Sequence, residues 1–234
     1  MLSVQPQIRP LPYVDYWMVA SILIPITLLF YIYLYSPNAI ILPIRSLIDH
    51  RVRRELKESR NSFQARILNL LNIIFYFSFT FVLYFLIKDK IKSNILKEYL
   101  FQSKYLDNDF VIFLLLFISV FLVVFLKKQV FMLIAYIFDE TERYWNFTFN
   151  MEMFIKTMGI LILPFIFVFV FKWTEKIFFL QIVFFSNLIL YFLFLLKSFF
   201  ELPKKAFVDY LNFILYLCGL EIIPLLFVLK FFFD

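Results

Sequence analysis

Six stretches of this chain are apolar for long enough to cross a bilayer, and that feature constrains the fold more than any other. They cover 17–35, 67–87, 110–126, 153–171, 177–196 and 207–229. A spanning helix needs roughly 17 to 25 apolar residues, because the hydrocarbon core is about 30 Å thick. The runs are continuously apolar, whereas lipid-facing barrel strands alternate, so helices rather than strands are expected. An all-α polytopic membrane protein follows, a bundle of about six transmembrane helices. Composition agrees: 63% of residues are hydrophobic, against roughly 45 to 50% in a soluble domain.

The first run does not read as a cleaved signal. It is too long for the apolar region of one, follows a proline-rich start with a single arginine, Arg9, and lacks a small-residue cleavage pattern. Residues 1–16 are therefore expected as an extracytoplasmic segment, and 17–234 as one transmembrane helical domain. Trp17, Trp145 and Trp173 fall at or near the ends of runs, where amphipathic rings favour the headgroup level. The 36 phenylalanines are spread over every run at no fixed spacing, which reads as lipid-facing filler rather than a recognition signal.

The net charge of +6 does not point to nucleic acid, because the cations lie between apolar runs, where membrane proteins place them in cytoplasmic loops. With alternating helices, 13 Lys and Arg fall on the side holding 44–66, and 9 on the other. The positive-inside rule then puts 44–66 in the cytoplasm and both termini outside. This basic loop, RSLIDHRVRRELKESRNSFQAR, carries charges at helical spacing and is expected to form an extension able to attract anionic lipid. The stretch 130–138, VFMLIAYIF, follows Lys127 and Lys128 and is too short to span. A short interfacial helix or an inward extension of the third span is expected near 127–138.

Smaller signals mark helix ends. Asp109 precedes the third run as an N-cap would, and Glu152 stands four residues before Lys156 in the favourable order. With the fourth span starting at 153, Lys156 is expected to snorkel to the near interface.

The last run, LNFILYLCGLEIIPLLFVL, holds one carboxylate, Glu221, near its middle. A charge at the centre of a membrane helix costs about 2.5 to 3.5 kcal/mol on insertion scales, so Glu221 is the leading candidate for a proton or cation site. The only two glycines, Gly159 and Gly219, each stand five positions before a proline, Pro164 and Pro224, inside a run. Each proline frees the carbonyl four residues earlier, at Ile160 and Leu220, while each glycine allows close helix packing. Glu221 and the freed Leu220 carbonyl then form one oxygen cluster. At 1.5 Å per residue Glu221 lies roughly 21 Å from the cytoplasmic end, level with Ser21, Ser78, Thr80 and Gln181, its candidate hydrogen-bond partners. No lysine or arginine shares that level, so a protonated or hydrated acid is expected.

Two stretches, FNMEMFIKTMGILILPF at 149–165 and NFILYLCGLEIIPLLFVLKFF at 212–232, resemble segments of a family of uncharacterised multi-pass membrane proteins of Gram-negative bacteria, known only as a domain of unknown function. The resemblance runs from about 40 to the C-terminus. It implies an inner-membrane location and marks Gly159, Pro164, Tyr216, Cys218, Glu221 and Pro224 as family-type positions. It implies no activity.

Catalysis is not expected. His50 is the only histidine and lies in a loop, Cys218 is the only cysteine, and there is no HExxH, phosphate loop or nucleophile elbow. An aspartyl-type pair needs two acids at one depth, but Asp209 lies about 18 Å from Glu221 along the helix. No cofactor or metal is implied. Two functions remain: a non-enzymatic subunit or scaffold of an envelope assembly, packing against other membrane subunits, and a proton- or cation-coupled transporter using Glu221.

Overall fold

The computed structural model describes residues 16–58, 63–92, 109–137, 141–171, 176–200 and 230. These residues form seven helices: α1 (Tyr16–Tyr35), α2 (Asn38–Ile48), α3 (His50–Glu58), α4 (Phe63–Lys92), α5 (Asp109–Ile137), α6 (Thr141–Phe171) and α7 (Lys176–Phe200). Five are long and apolar enough to cross a membrane, over Tyr16–Tyr35, Arg66–Lys88, Asp109–Leu133, Trp145–Phe169 and Phe178–Leu195. The expected sixth span, 207–229, lies outside the described residues, as does Trp173.

Successive spans run in opposite directions. Lys88, late in α4, pairs with Asp109 at the start of α5, and Lys128, late in α5, pairs with Glu152, early in α6. Asp109 sits in the first turn of its helix, where the exposed amides favour negative charge. One end of the bundle thus carries the end of α1, the starts of α4 and α6, the ends of α5 and α7, and the α2–α3 elbow. The α4 helix is central, packing on α1, α2, α5, α6 and α7.

Of the two alternatives expected near 127–138, the structure has the extension of the third span: 127–137 prolongs α5 without a break, because an apolar run following two lysines keeps helical bonding. One expectation is revised. The phenylalanines are not simply lipid-facing. Phe81, Phe113, Phe131, Phe154 and Phe184 are buried, while Phe30, Phe121, Phe125 and Phe178 are exposed. Ring pairs such as Phe131–Phe147 (centroids 4.9 Å) and Phe154–Phe194 (4.6 Å) join helices by stacking face to face. The stretch 38–43, which lies between the first apolar run and the basic loop, is helical. There α2 follows Pro37, and it buries Ala39, Pro43 and Ser46 against its neighbours.

The loop 44–66 is largely helical, as its charge spacing predicts. Arg53 is turned inward, and its Nε donates to the Ser46 carbonyl at 3.0 Å. From the opposite direction the Lys197 ammonium of α7 donates to the Leu47 carbonyl. Both cations satisfy carbonyls that the end of α2 leaves unbonded.

Candidate functional site

The described residues hold a charge cluster that the sequence resolves only in part. In α6, Glu152 and Lys156 are one turn apart, and their Oε2 and Nζ lie 3.9 Å from each other. The other carboxylate oxygen, Oε1, accepts a charge-assisted hydrogen bond from Lys128 of α5. Side-chain exposure falls from 44% at Lys128 to 30% at Glu152 and 2% at Lys156. One carboxylate therefore stands between two ammonium groups, the outer one wetted and the inner one enclosed.

Lys156 does not reach the interface, contrary to expectation. The helix begins at Thr141 rather than 153, which places three further turns between Lys156 and the membrane edge. Within the span Trp145–Phe169, Lys156 is about 16 Å from one end and about 20 Å from the other. An amine that deep has no aqueous exit along its own stem, so it turns into the bundle towards its carboxylate. The signal lies within 144–152, YWNFTFNME, whose apolar residues are interrupted by Asn146, Asn150 and Glu152.

A second link lies beside the first. Lys127 donates to the Tyr191 hydroxyl of α7 at 2.6 Å, with its Nζ 5.2 Å from the ring centroid. Adjacent lysines of α5 thus secure two different helices, because neighbouring positions diverge by about 100° around the axis. A shallow, mostly apolar recess opens at this level between α5 and α6, lined by Val124, Lys128, Phe131, Met151 and Ile155 among others.

Of the residues named around Glu221, some can be placed. Glu221, Leu220, Gly219 and Pro224 lie outside the described residues. Ser21 is buried, and its hydroxyl donates to the Met18 carbonyl at 2.8 Å. Ser78 and Thr80 are buried in α4, and among the described residues neither hydroxyl has a hydrogen-bond partner. Gln181 is exposed on α7. Counted along their spans, all four residues lie about 18 to 21 Å from the α2 end; Ser21 bonds within its own helix, and Gln181 faces outward.

Gly159 is placed where close packing requires it. A Cβ built there would lie 2.8 Å from both Cα and N of Phe75, so α4 and α6 cross with backbone against backbone. Pro164 is accommodated inside α6 and is exposed. Among the described residues no three metal-ligating side chains converge.

Residues 18–232 match the family model described as Domain of unknown function (DUF4271), so the likeness begins some twenty residues before the point the motifs indicate. No curated protein matches, and no solved structure does.

Proposed function

The chain belongs to this DUF4271 family, and on that footing we propose that it is a non-enzymatic integral membrane subunit, or scaffold, of a bacterial envelope assembly in the inner membrane. The observation that carries this proposal is the position of α5. Its span is the most apolar of the five, with mean hydropathy 3.0, yet only 11% of it is buried within the chain. Such a helix offers Leu115, Leu122, Val123 and Leu126 to whatever surrounds the bundle, and close packing against another membrane subunit uses that surface. The cluster at Glu152 supports the same function, because its charges hold α5 in place against α6. Positive-inside bias assigns the α2 end to the cytoplasm.

The test is extraction from native membranes in mild detergent, with photocrosslinkers introduced at Leu115 and Val123. A stoichiometric membrane partner crosslinked at these positions is the expected result. A monomer whose crosslinks reach lipid alone would overturn the proposal.

A proton- or cation-coupled transporter is the second reading, and Ser78 and Thr80 favour it. Two buried hydroxyls without partners among the described residues, at the level expected from the sequence for Glu221, are suited to a hydrated polar path. In proteoliposomes the ion flux of the chain should be lost in Glu221→Gln; undiminished flux would exclude Glu221 as the site.

A further inference from the structure

The elbow formed by α2 and α3 is held close to the end of the first span. Only two residues separate the end of α1 from Asn38, and the 11 residues of α2 reach about 16 Å, half of the bilayer core. It therefore remains at the membrane surface where α1 emerges.

Its two sides differ in a way that water alone does not explain. The inner side of α2 buries Ala39, Pro43 and Ser46. Its outer stripe is Ile41, Arg45 and Ile48, at helical spacing of four and three, with the isoleucines 47% and 77% exposed. On α3, Arg53 and Leu56 are buried, while Arg51 and Arg54, three apart, are exposed. Exposed isoleucines beside an arginine match the boundary between acyl chains and headgroups, where apolar groups enter hydrocarbon and cations meet phosphate. Asp49 and Glu55 are also exposed on this elbow, but an Asp49 oxygen already accepts the Arg51 amide at 2.8 Å.

We propose that Arg45, Arg51 and Arg54 form a docking surface for the phosphates of anionic phospholipids in the leaflet that holds α2, with Ile41 and Ile48 set into the acyl boundary. Planar guanidinium groups bind phosphate oxygens in pairs, which suits arginine better than lysine for this contact. Arg53 is not part of the surface, because its guanidinium is engaged with the Ser46 and Leu47 carbonyls. The assignment is independent of whether the chain acts as a subunit or a transporter.

The full chain, reconstituted in phosphatidylcholine vesicles, can be titrated with spin-labelled phosphatidylglycerol and, separately, spin-labelled phosphatidylcholine. The motionally restricted fraction should favour phosphatidylglycerol severalfold and lose that preference as salt rises. The triple variant R45Q/R51Q/R54Q should lose most of that preference, each exposed arginine near the surface contributing about 1 kcal/mol at most, and the triple lysine variant should retain part of it. Millimolar inorganic phosphate should leave the wild-type preference intact, separating a lipid surface from a free-anion site. The proposal fails if wild type shows no preference, if its preference ignores salt, or if the folded triple glutamine variant binds like wild type.

Discussion

Gly159 of α6 meets the backbone of Phe75 in α4, with no room for a methyl group between them. Since α4 packs on five of the other helices, this crossing sets the spacing of the bundle. Gly159→Ala should cost about 1 to 3 kcal/mol, the usual range for overpacking, seen as a lower melting temperature in detergent. The clash is with Cα and N, so Phe75→Ala should not restore the loss. A double variant as stable as the single Phe75→Ala would show that the ring, not the backbone, sets the distance.

The Glu152 cluster predicts an unequal mutation series. Glu152→Gln leaves the Lys156 ammonium buried without its counter-charge, a loss of about 3 to 5 kcal/mol for a broken buried pair. Lys156→Met replaces the enclosed cation with an apolar chain of similar length and should be much milder. Lys128→Met removes a partly exposed partner and should fall between them. Thermal unfolding of the three variants gives the order. The double variant E152Q/K156M should be markedly more stable than Glu152→Gln alone; additive losses would mean that the two residues do not act as a pair.

Much of this arrangement is readable from residue order, and the failures have physical causes. Five spans are legible because hydrocarbon demands long apolar runs. The depth of Lys156 is not, since Asn146, Asn150 and Glu152 look like a loop boundary when hydropathy alone is scored, while in the fold α5 supplies Lys128 to neutralise Glu152. Pairing between helices is a tertiary fact with no local signature. The same applies to Phe81 and Phe113, which read as lipid-facing yet are buried against each other's helices. Ser78, Thr80, Ser21 and Gln181 share a depth as counted, but depth fixes height and not azimuth, so Gln181 faces away from the bundle.

Arg53 is expected to matter for structure rather than for surface charge. Its Nε bonds the last turn of α2 from a buried position, and hydrogen bonds from charged groups contribute about 1.5 to 3 kcal/mol. Arg53→Gln should therefore loosen the elbow, raising protease cleavage within 49–58 while leaving the five spans intact. Arg53→Lys should rescue poorly, because one ammonium cannot reproduce the fork that meets the Ser46 and Leu47 carbonyls. Equal resistance in all three proteins would show that the α2–α3 elbow holds without this bond.

Ser78 and Thr80 separate the two functional readings through stability as well as flux. A buried hydroxyl with no partner is costly, and replacing it by an apolar group of the same shape is then neutral or stabilising. If Glu221 engages one of them, as their expected shared level suggests, Ser78→Ala or Thr80→Val should instead destabilise by about 0.6 kcal/mol, and at most about 1.7 kcal/mol, the average and upper value for hydrogen bonds between membrane helices. Coupling to Glu221 is the expected outcome: the loss should shrink when measured in a Glu221→Gln background, because the partner is already altered. Melting temperatures of the single and double variants in one detergent decide the matter. Two neutral substitutions, additive with Glu221→Gln, would remove α4 from the proposed polar site and leave the Glu152 cluster as the polar centre of the described bundle.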